Sequence, residues 1–280
     1  MKAQSIVNDM AYDPGVALDF FKSAGKAEAV AQGATIFAEK EHEIPLLRQH
    51  KMYLLLKGDV GLLARGKPIG AVKAGEIFGE LALISHAPRS ASAVAKTDCR
   101  VIALDEKEFH SALAMKPAFA LMLMSMMIRR LRETIAQLSA SGALSKDEAW
   151  KEAAALNRTQ LADLMRGLAD DPPLYYYRAG DPILARGQTG LRMYAVLEGR
   201  VAVSIDGRVI EKLGPGGVFG EAAIIGQSPR LASALAETDC ELLPIARGAF
   251  LSLVRLSPEF ADTMLTSLAE RLRFLTARMN

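Results

Sequence analysis

Ile77-Phe78-Gly79-Glu80-Leu81-Ala82-Leu83-Ile84, leading to Ala87-Pro88-Arg89-Ser90-Ala91-Ser92, is written a second time in this chain. The second version is Val218-Phe219-Gly220-Glu221-Ala222-Ala223-Ile224-Ile225, leading to Ser228-Pro229-Arg230-Leu231-Ala232-Ser233. Gly79 and Gly220, Arg89 and Arg230, and Cys99 and Cys240 all stand 141 residues apart. Repetition at a constant offset marks a duplicated module. In each copy a glycine-led acidic turn is followed by an arginine nine positions past the glutamate, a combination able to hold a sugar phosphate. The ungapped match runs from Met52-Tyr53 (partner Met193-Tyr194) to Leu131-Arg132 (partner Leu272-Arg273). Before it, the Gly33 to Ala38 segment corresponds to Gly180 to Ala185, and the first copy carries six extra residues within 39–51.

Working outward, each copy reads as short strands broken by turns. Met52 to Leu56 is apolar and ends at Lys57-Gly58-Asp59. Val60 to Leu63 leads to the break Arg65-Gly66-Lys67-Pro68. Val201 to Ile205 alternates, and Asp206-Gly207 is the strongest short hairpin signal in the chain. Strands at this spacing predict a sandwich or barrel rather than a parallel sheet. Helices flank the strand blocks. Leu121, Met124, Ile128, Leu131, Ile135 and Leu138 form one apolar seam, with a counterpart in Leu265, Leu268, Leu272, Leu275 and Met279. The first seam suits either packing within the chain or a homodimer through the 121–138 helix. Near residue 140 the copies part. Ser145 to Glu148 reads as a capping box opening a helix to Leu156, Asn157-Arg158-Thr159-Gln160 as the cap of a further short helix, and Asp170 to Pro173 as its stop.

Composition sets the frame. The 280 residues suffice for two domains, half of them are apolar, 24% are charged and the formal net charge is +2. Such a balance exerts no strong pull on nucleic acid or membrane. The two cysteines fall at matching places, each after Thr-Asp, and are expected in the core of each copy rather than in a disulfide, which fits a reducing compartment. The N-terminus lacks the apolar core of a signal peptide, and the most apolar run, 118–128, is too short to span a bilayer. A cytoplasmic, unanchored protein is expected.

At these residues the chain resembles the cyclic-nucleotide-binding domain family, twice over. The family pattern is Phe-Gly-Glu-Leu-Ala-Leu, a short spacer, then Pro-Arg and small residues. The first copy matches it almost letter for letter, and Lys96-Thr97-Asp98 is similar to the family as well. The second matches at Phe219, Gly220, Glu221, Pro229, Arg230 and Ala232 and departs at Ala222, where the family usually has a larger residue. The resemblance implies an α+β, mainly β fold: two β-barrel jelly-roll domains, each flanked by N- and C-terminal helices. The expected division is a tail over 1–15, a first domain over 16–140 with its C-terminal helix, and a second over 141–280. The tandem order is similar to that of regulatory subunits of cAMP-dependent protein kinase, and a single copy to the sensor half of bacterial catabolite activators.

The resemblance implies a ligand site made by Gly79, Glu80, Leu81, Ala82, Arg89 and Ser90, and another by Gly220, Glu221, Ala222, Ala223, Arg230 and Leu231. Its chemistry also follows from the side chains. A cyclic phosphate carries one negative charge and two exocyclic oxygens, which a planar guanidinium matches in a fork that lysine cannot copy. Arg89 and Arg230 suit that role. Glycine permits close backbone approach, and backbone N–H groups of the turn, by family analogy those of Ala82, Ser90, Ala223 and Leu231, would add partial positive charge. Glu80 and Glu221 would repel a phosphate, but each can accept a hydrogen bond from a ribose 2′-hydroxyl. The expected ligand is cAMP at the second site, where Leu231 offers no hydroxyl, and cAMP over cGMP at the first, where the Ser90 hydroxyl could reach a guanine amino group but a serine also stands in cAMP-preferring members of the family. No other cofactor is implied. The resemblance further implies a lid from a C-terminal helix, with 129–135 and 271–275 the candidate segments.

Other functions find little purchase. No helix-turn-helix segment follows the second copy or fits between the two, so direct DNA binding is not expected. His42, His50, His86 and His110 are scattered and form no metal-ligand spacing; His42 and His86 are expected on exposed loops, although His86 lies in the first cassette. No nucleophile motif occurs, and the chain does not read as an enzyme. Two readings stand: a receptor with two sites, signalling to an unknown partner protein through ordering of the 122–138 helix, or an interaction scaffold with lost or altered ligand specificity. Apart from both stands a bland reading of the cassette, in which each Glu and Arg closes an internal salt bridge in a barrel that binds nothing.

Overall fold

The computed structural model describes residues 12–40, 50–142, 155–167 and 173–278. The first copy opens with helix α1 (Pro14–Ala24), followed by strands β1 (Lys26–Val30), β2 (Thr35–Phe37), β3 (Lys51–Lys57), β4 (Asp59–Ala64), β5 (Lys67–Lys73) and β6 (Ile77–Phe78). A short helix α2 (Glu80–Ile84) precedes β7 (Ser92–Ala95) and β8 (Cys99–Asp105), and helices α3 (Glu106–Met115) and α4 (Pro117–Ser141) follow. After α5 (Arg158–Gly167) the second copy repeats the series. Its strands are β9 (Tyr175–Tyr177), β10 (Pro182–Leu184), β11 (Arg192–Glu198), β12 (Val201–Ile205), β13 (Arg208–Leu213) and β14 (Val218–Phe219). Helix α6 (Glu221–Gly226), β15 (Ser233–Ala236), β16 (Cys240–Ala246), α7 (Arg247–Leu256) and α8 (Pro258–Ala277) complete it.

The strands make two four-stranded antiparallel sheets per copy. Their orders are β1-β8-β3-β6 and β2-β7-β4-β5 in the first, and β9-β16-β11-β14 and β10-β15-β12-β13 in the second. The topology is that of a jelly roll, as expected. Even the irregularities are duplicated: register shifts fall at Leu62/Leu63 and at Val203/Ser204, and at Leu55/Lys57 and Val196/Glu198. The hairpins turn at Arg65-Gly66 and Asp206-Gly207, where both residues have positive φ, the mirror-image turn whose twist matches that of the strands it joins.

The barrel cores follow from alternation. Tyr53, Leu55, Val101 and Ala103 point into the first core with Phe37, Val60 and Phe78. Their neighbours Met52, Leu54, Ile102 and Leu104 are equally buried, because the outer face of that sheet is covered by helices. There Phe20 stacks on Phe119 at 3.6 Å and meets Phe109 edge-on at 6.0 Å. Each such ring, fully buried, stabilises the layer by about 1.5–3 kcal/mol. Tyr194, Val196, Val203, Phe219 and Leu242 build the second core. Cys99 and Cys240 are buried free thiols, each with Sγ 3.2 Å from the carbonyl of Thr97 or Thr238. They are core residues, as their matching positions suggested.

The six residues of the first helical seam, Leu121 to Leu138, are all buried within the single chain. Packing within the chain therefore accounts for them, and a homodimer through this seam would first have to uncover it. Leu265, Leu268, Leu272 and Leu275 are likewise buried; Met279 lies outside the described residues. The chain divides into two compact units, with the break between Met122 and Leu123. This division differs from the 140/141 boundary expected from the repeat, because the break falls inside the continuous helix α4. Asn157 and Gln160 cap α5 reciprocally, Asn157 Oδ1 accepting from the Gln160 N–H and Gln160 Oε1 from the Asn157 N–H, both at 2.9 Å. The 145–148 capping box and the 170–172 stop lie outside the described residues. No single helix among those described is long and apolar enough to cross a membrane.

Candidate functional site

The two cassettes begin with the same strained backbone. Gly79 and Gly220 are the N-caps of α2 and α6, with φ of +77° and +83°. A side chain there would be strained by conformation and by space: a Cβ would stand 2.9 Å from Arg89 Nη1 in the first copy and 2.6 Å from Arg230 Nη1 in the second. Each glycine is thus the floor on which an arginine rests. Its carbonyl accepts from that arginine, Arg89 Nη1 donating to Gly79 O and Arg230 Nη1 to Gly220 O, both at 2.7 Å.

A second carbonyl completes the grip. Arg89 Nη2 donates to Lys51 O at 2.7 Å and Arg230 Nη2 to Arg192 O at 2.6 Å. Lys51 and Arg192 open β3 and β11, so the central strand of each barrel fixes the guanidinium. Both arginines are only 6% exposed. Burial pulls the Arg230 guanidinium below the usual arginine range, with Tyr194 and Glu221 opposing. Among the described residues Arg230 has no ion-pair partner, and its only hydrogen bonds are to the two carbonyls. The loop that carries each arginine is tied down in the same way. Lys40 N–H donates to Arg89 O and Gly187 N–H to Arg230 O, both at 3.0 Å. The six extra residues of the first copy therefore fall after Lys40, in a stretch mostly outside the described residues, as is His42.

The remaining expected site residues divide by exposure. Glu80, Ala82, Glu221, Ala222 and Ala223 are buried, Leu81 and Leu231 half-buried and Ser90 exposed. The Ala223 N–H lies 3.3 Å from Gly220 O, a long bond that leaves this donor weakly satisfied. His86 is exposed, with Nδ1 3.7 Å from Glu106 Oε1.

Glu221 does not pair with Arg230. Its Oε1 accepts from Arg271 Nη1 at 2.7 Å, and Arg271 stands on α8, within the segment expected to supply a lid. The same guanidinium donates through Nε to Glu211 Oε1 at 3.1 Å and through Nη2 to Val218 O at 2.5 Å. Burial alone would lower the Arg271 pKa, but the charges of Glu211 and Glu221 overcome it and hold the group above its usual range. Burial pushes the Glu211 carboxyl up, with the Arg271 charge opposing. Arg132, on α4, reaches the loop before Arg230, with Nη2 on the Pro229 carbonyl at 2.9 Å and on Ser228 Oγ.

Several of these groups escaped sequence reasoning. The carbonyls of Lys51 and Arg192 leave no trace in residue type. Phe37, whose ring centroid lies 4.2 Å from the Arg89 guanidinium carbon, read only as a strand residue. Gly190 is a closer case: a Cβ there would stand 2.1 Å from Arg230 Nη2, and a glycine just ahead of a strand was the available signal.

Comparison with known proteins places both cassettes. The family model described as the cyclic nucleotide-binding domain matches residues 28–116 and again 174–257. The cAMP-dependent protein kinase regulatory subunit of Eremothecium gossypii is 28% identical over 207 residues, covering 72% of this chain and 39% of its own length. The Debaryomyces hansenii protein of the same name is 32% identical over 184 residues, covering 65% and 36%. The chain thus spans well under half the length of these relatives. Among solved structures, the regulatory domain of Toxoplasma gondii PKA crystallised with cAMP is matched over 92% of this chain and 90% of its own, at 23% identity and a TM-score of 0.33. The two family matches together take in more than half the chain and each encloses one glycine–glutamate–arginine cassette; the chain belongs to the cyclic nucleotide-binding domain family, with two such domains in tandem.

Proposed function

We propose that each cassette binds a 3′,5′-cyclic purine nucleotide, cAMP at the second site and cAMP in preference to cGMP at the first, and that a partner protein reads the occupied state. The observation that carries this reading is Arg230. A guanidinium removed from water is costly unless a charge or strong acceptor meets it, and this one is buried, oriented by two carbonyls and without a carboxylate partner among the described residues. An anionic ligand is the missing counter-charge. The reading in which the cassette glutamate and arginine close an internal salt bridge finds no support at the second site, where Glu221 is engaged by Arg271 instead.

The ligand's parts then find partners by chemistry. Two exocyclic phosphate oxygens suit the arginine fork. The ribose 2′-hydroxyl suits Glu80 or Glu221 as donor to acceptor. The protein works by binding and shape change rather than by catalysis. Helix α4 is the element that carries the change, because Arg132 ties it to Pro229, the residue next to Arg230; a ligand moves such an equilibrium only by preferring one arrangement. A protein kinase is the class of partner this reading favours, since the matched relatives are named as regulatory subunits of one.

Titration calorimetry of the full chain with cAMP, followed by competition with cGMP, tests the reading. The expected result is two equivalents of cAMP per chain, with cGMP the weaker competitor. Absence of binding heat and of any melting shift with either nucleotide would overturn it.

A further inference from the structure

The buried ion cluster at the second site has one carboxylate more than a simple pair needs. Glu221 on α6 and Glu211 on β13 both face Arg271 on α8, and their side chains are 6%, 13% and 14% exposed. A guanidinium that meets a single carboxylate favours the fork arrangement, two parallel N–H bonds to both oxygens. Here the fork is split. Nε goes to Glu211 Oε1, Nη2 to Val218 O, and only Nη1 to Glu221 Oε1. Among the described residues Glu221 Oε2 accepts no hydrogen bond. We infer that Glu211 is a specificity-determining positioning residue: by holding Arg271 Nε, while the Val218 carbonyl holds Nη2, it keeps the guanidinium from turning its Nε–Nη2 edge to both oxygens of Glu221, and so leaves Oε2 open to a ligand hydroxyl. The inference rests on the reading that this cassette binds a ribose cyclic phosphate.

Charge supports the assignment. Two carboxylates against one buried guanidinium leave one formal negative charge in excess among the three groups; burial, more than that excess, pushes the Glu211 carboxyl up. A hydroxyl donor arriving at Oε2 would solvate that excess without bringing in a new charge. The first copy has Gly70 where the second has Glu211, at the same offset of 141 residues. A Cβ at Gly70 would meet nothing within 4 Å, so the carboxylate is missing there for no reason of space.

The test uses the full chain carrying Arg89→Ala, so that only the second site reports, and compares cAMP with 2′-deoxy-cAMP by calorimetry. With Glu211 present, cAMP should bind tighter by about tenfold or more, the worth of one hydrogen bond to a charged acceptor. In Glu211→Ala that ratio should fall toward one, through weaker cAMP binding with the deoxy analogue little changed. Glu211→Gln, which keeps the shape and an acceptor oxygen for Arg271 Nε, should retain most of the ratio. Equal weakening of both nucleotides in Glu211→Ala, with the ratio intact, would mean that Glu211 only supports the fold and would overturn the proposal. A parent chain that binds cAMP and 2′-deoxy-cAMP equally would overturn it without touching the cyclic-nucleotide reading. A parent chain that binds neither would remove both.

Discussion

The two cassettes share a backbone and differ in what braces it. Both cap their short helix with a left-handed glycine, and both hold a buried arginine through one carbonyl of that glycine and one of the central strand. Around this common frame the supports diverge. Arg89 lies over the Phe37 ring, whereas beside the Arg230 guanidinium Gly190 leaves no room for a side chain. The second copy gathers Glu211, Arg271 and Glu221 into one buried cluster, while the first has Gly70 at the position of Glu211. Helix α3 opens on a complete capping box between Asp105 and Glu108; its counterpart α7 opens on Ala246, with no side-chain cap. Duplication has kept the geometry that holds each buried guanidinium and let the electrostatics behind it drift.

The largest expected difference lies in the buried cluster. Arg271→Ala would leave Glu211 and Glu221 facing each other without their cation. Removing one partner of a buried pair costs about 3–5 kcal/mol, and a lower melting temperature in scanning calorimetry should report it. In a Glu211→Ala background Arg271→Ala should cost less, because only one carboxylate is then left without its cation. Equal losses in the two backgrounds would contradict this account of the cluster. A smaller effect, of opposite sign, is expected at α7. Ala246→Asp should stabilise the second copy by about 1 kcal/mol by supplying the missing cap, and Asp105→Ala should destabilise the first by a similar amount. No gain from Ala246→Asp in thermal unfolding would mean that the Gly248 and Ala249 N–H groups, which the new carboxylate should accept from, are already satisfied by water.

Much of this was legible in the residues. The glycine and arginine of each cassette meet, Arg89 on Gly79 and Arg230 on Gly220, because both lie on one short connection whose length the repeat preserves, whereas Glu221 turns to Arg271. The Asp206-Gly207 hairpin and the Asn157–Gln160 cap were readable for the same reason: each is a local device decided by residues within four positions of one another. What stayed hidden depends on tertiary contact. Glu211 carries no local signal in the sequence, and its partner Arg271 lies sixty residues away. The helical seam showed its period but not its occupant, and burial of Leu121 to Leu138 within one chain answers that from packing alone. The break between compact units inside α4 was unreadable because the helix runs through it without any change in pattern.

Nucleotide stoichiometry in single-arginine variants bears most directly on the claim that each barrel orients a guanidinium for an anionic ring. Calorimetric titration with cAMP should give two equivalents for the unaltered chain and one for Arg230→Ala, the surviving site keeping its affinity. Two equivalents at unchanged affinity in both Arg230→Ala and Arg89→Ala would contradict it.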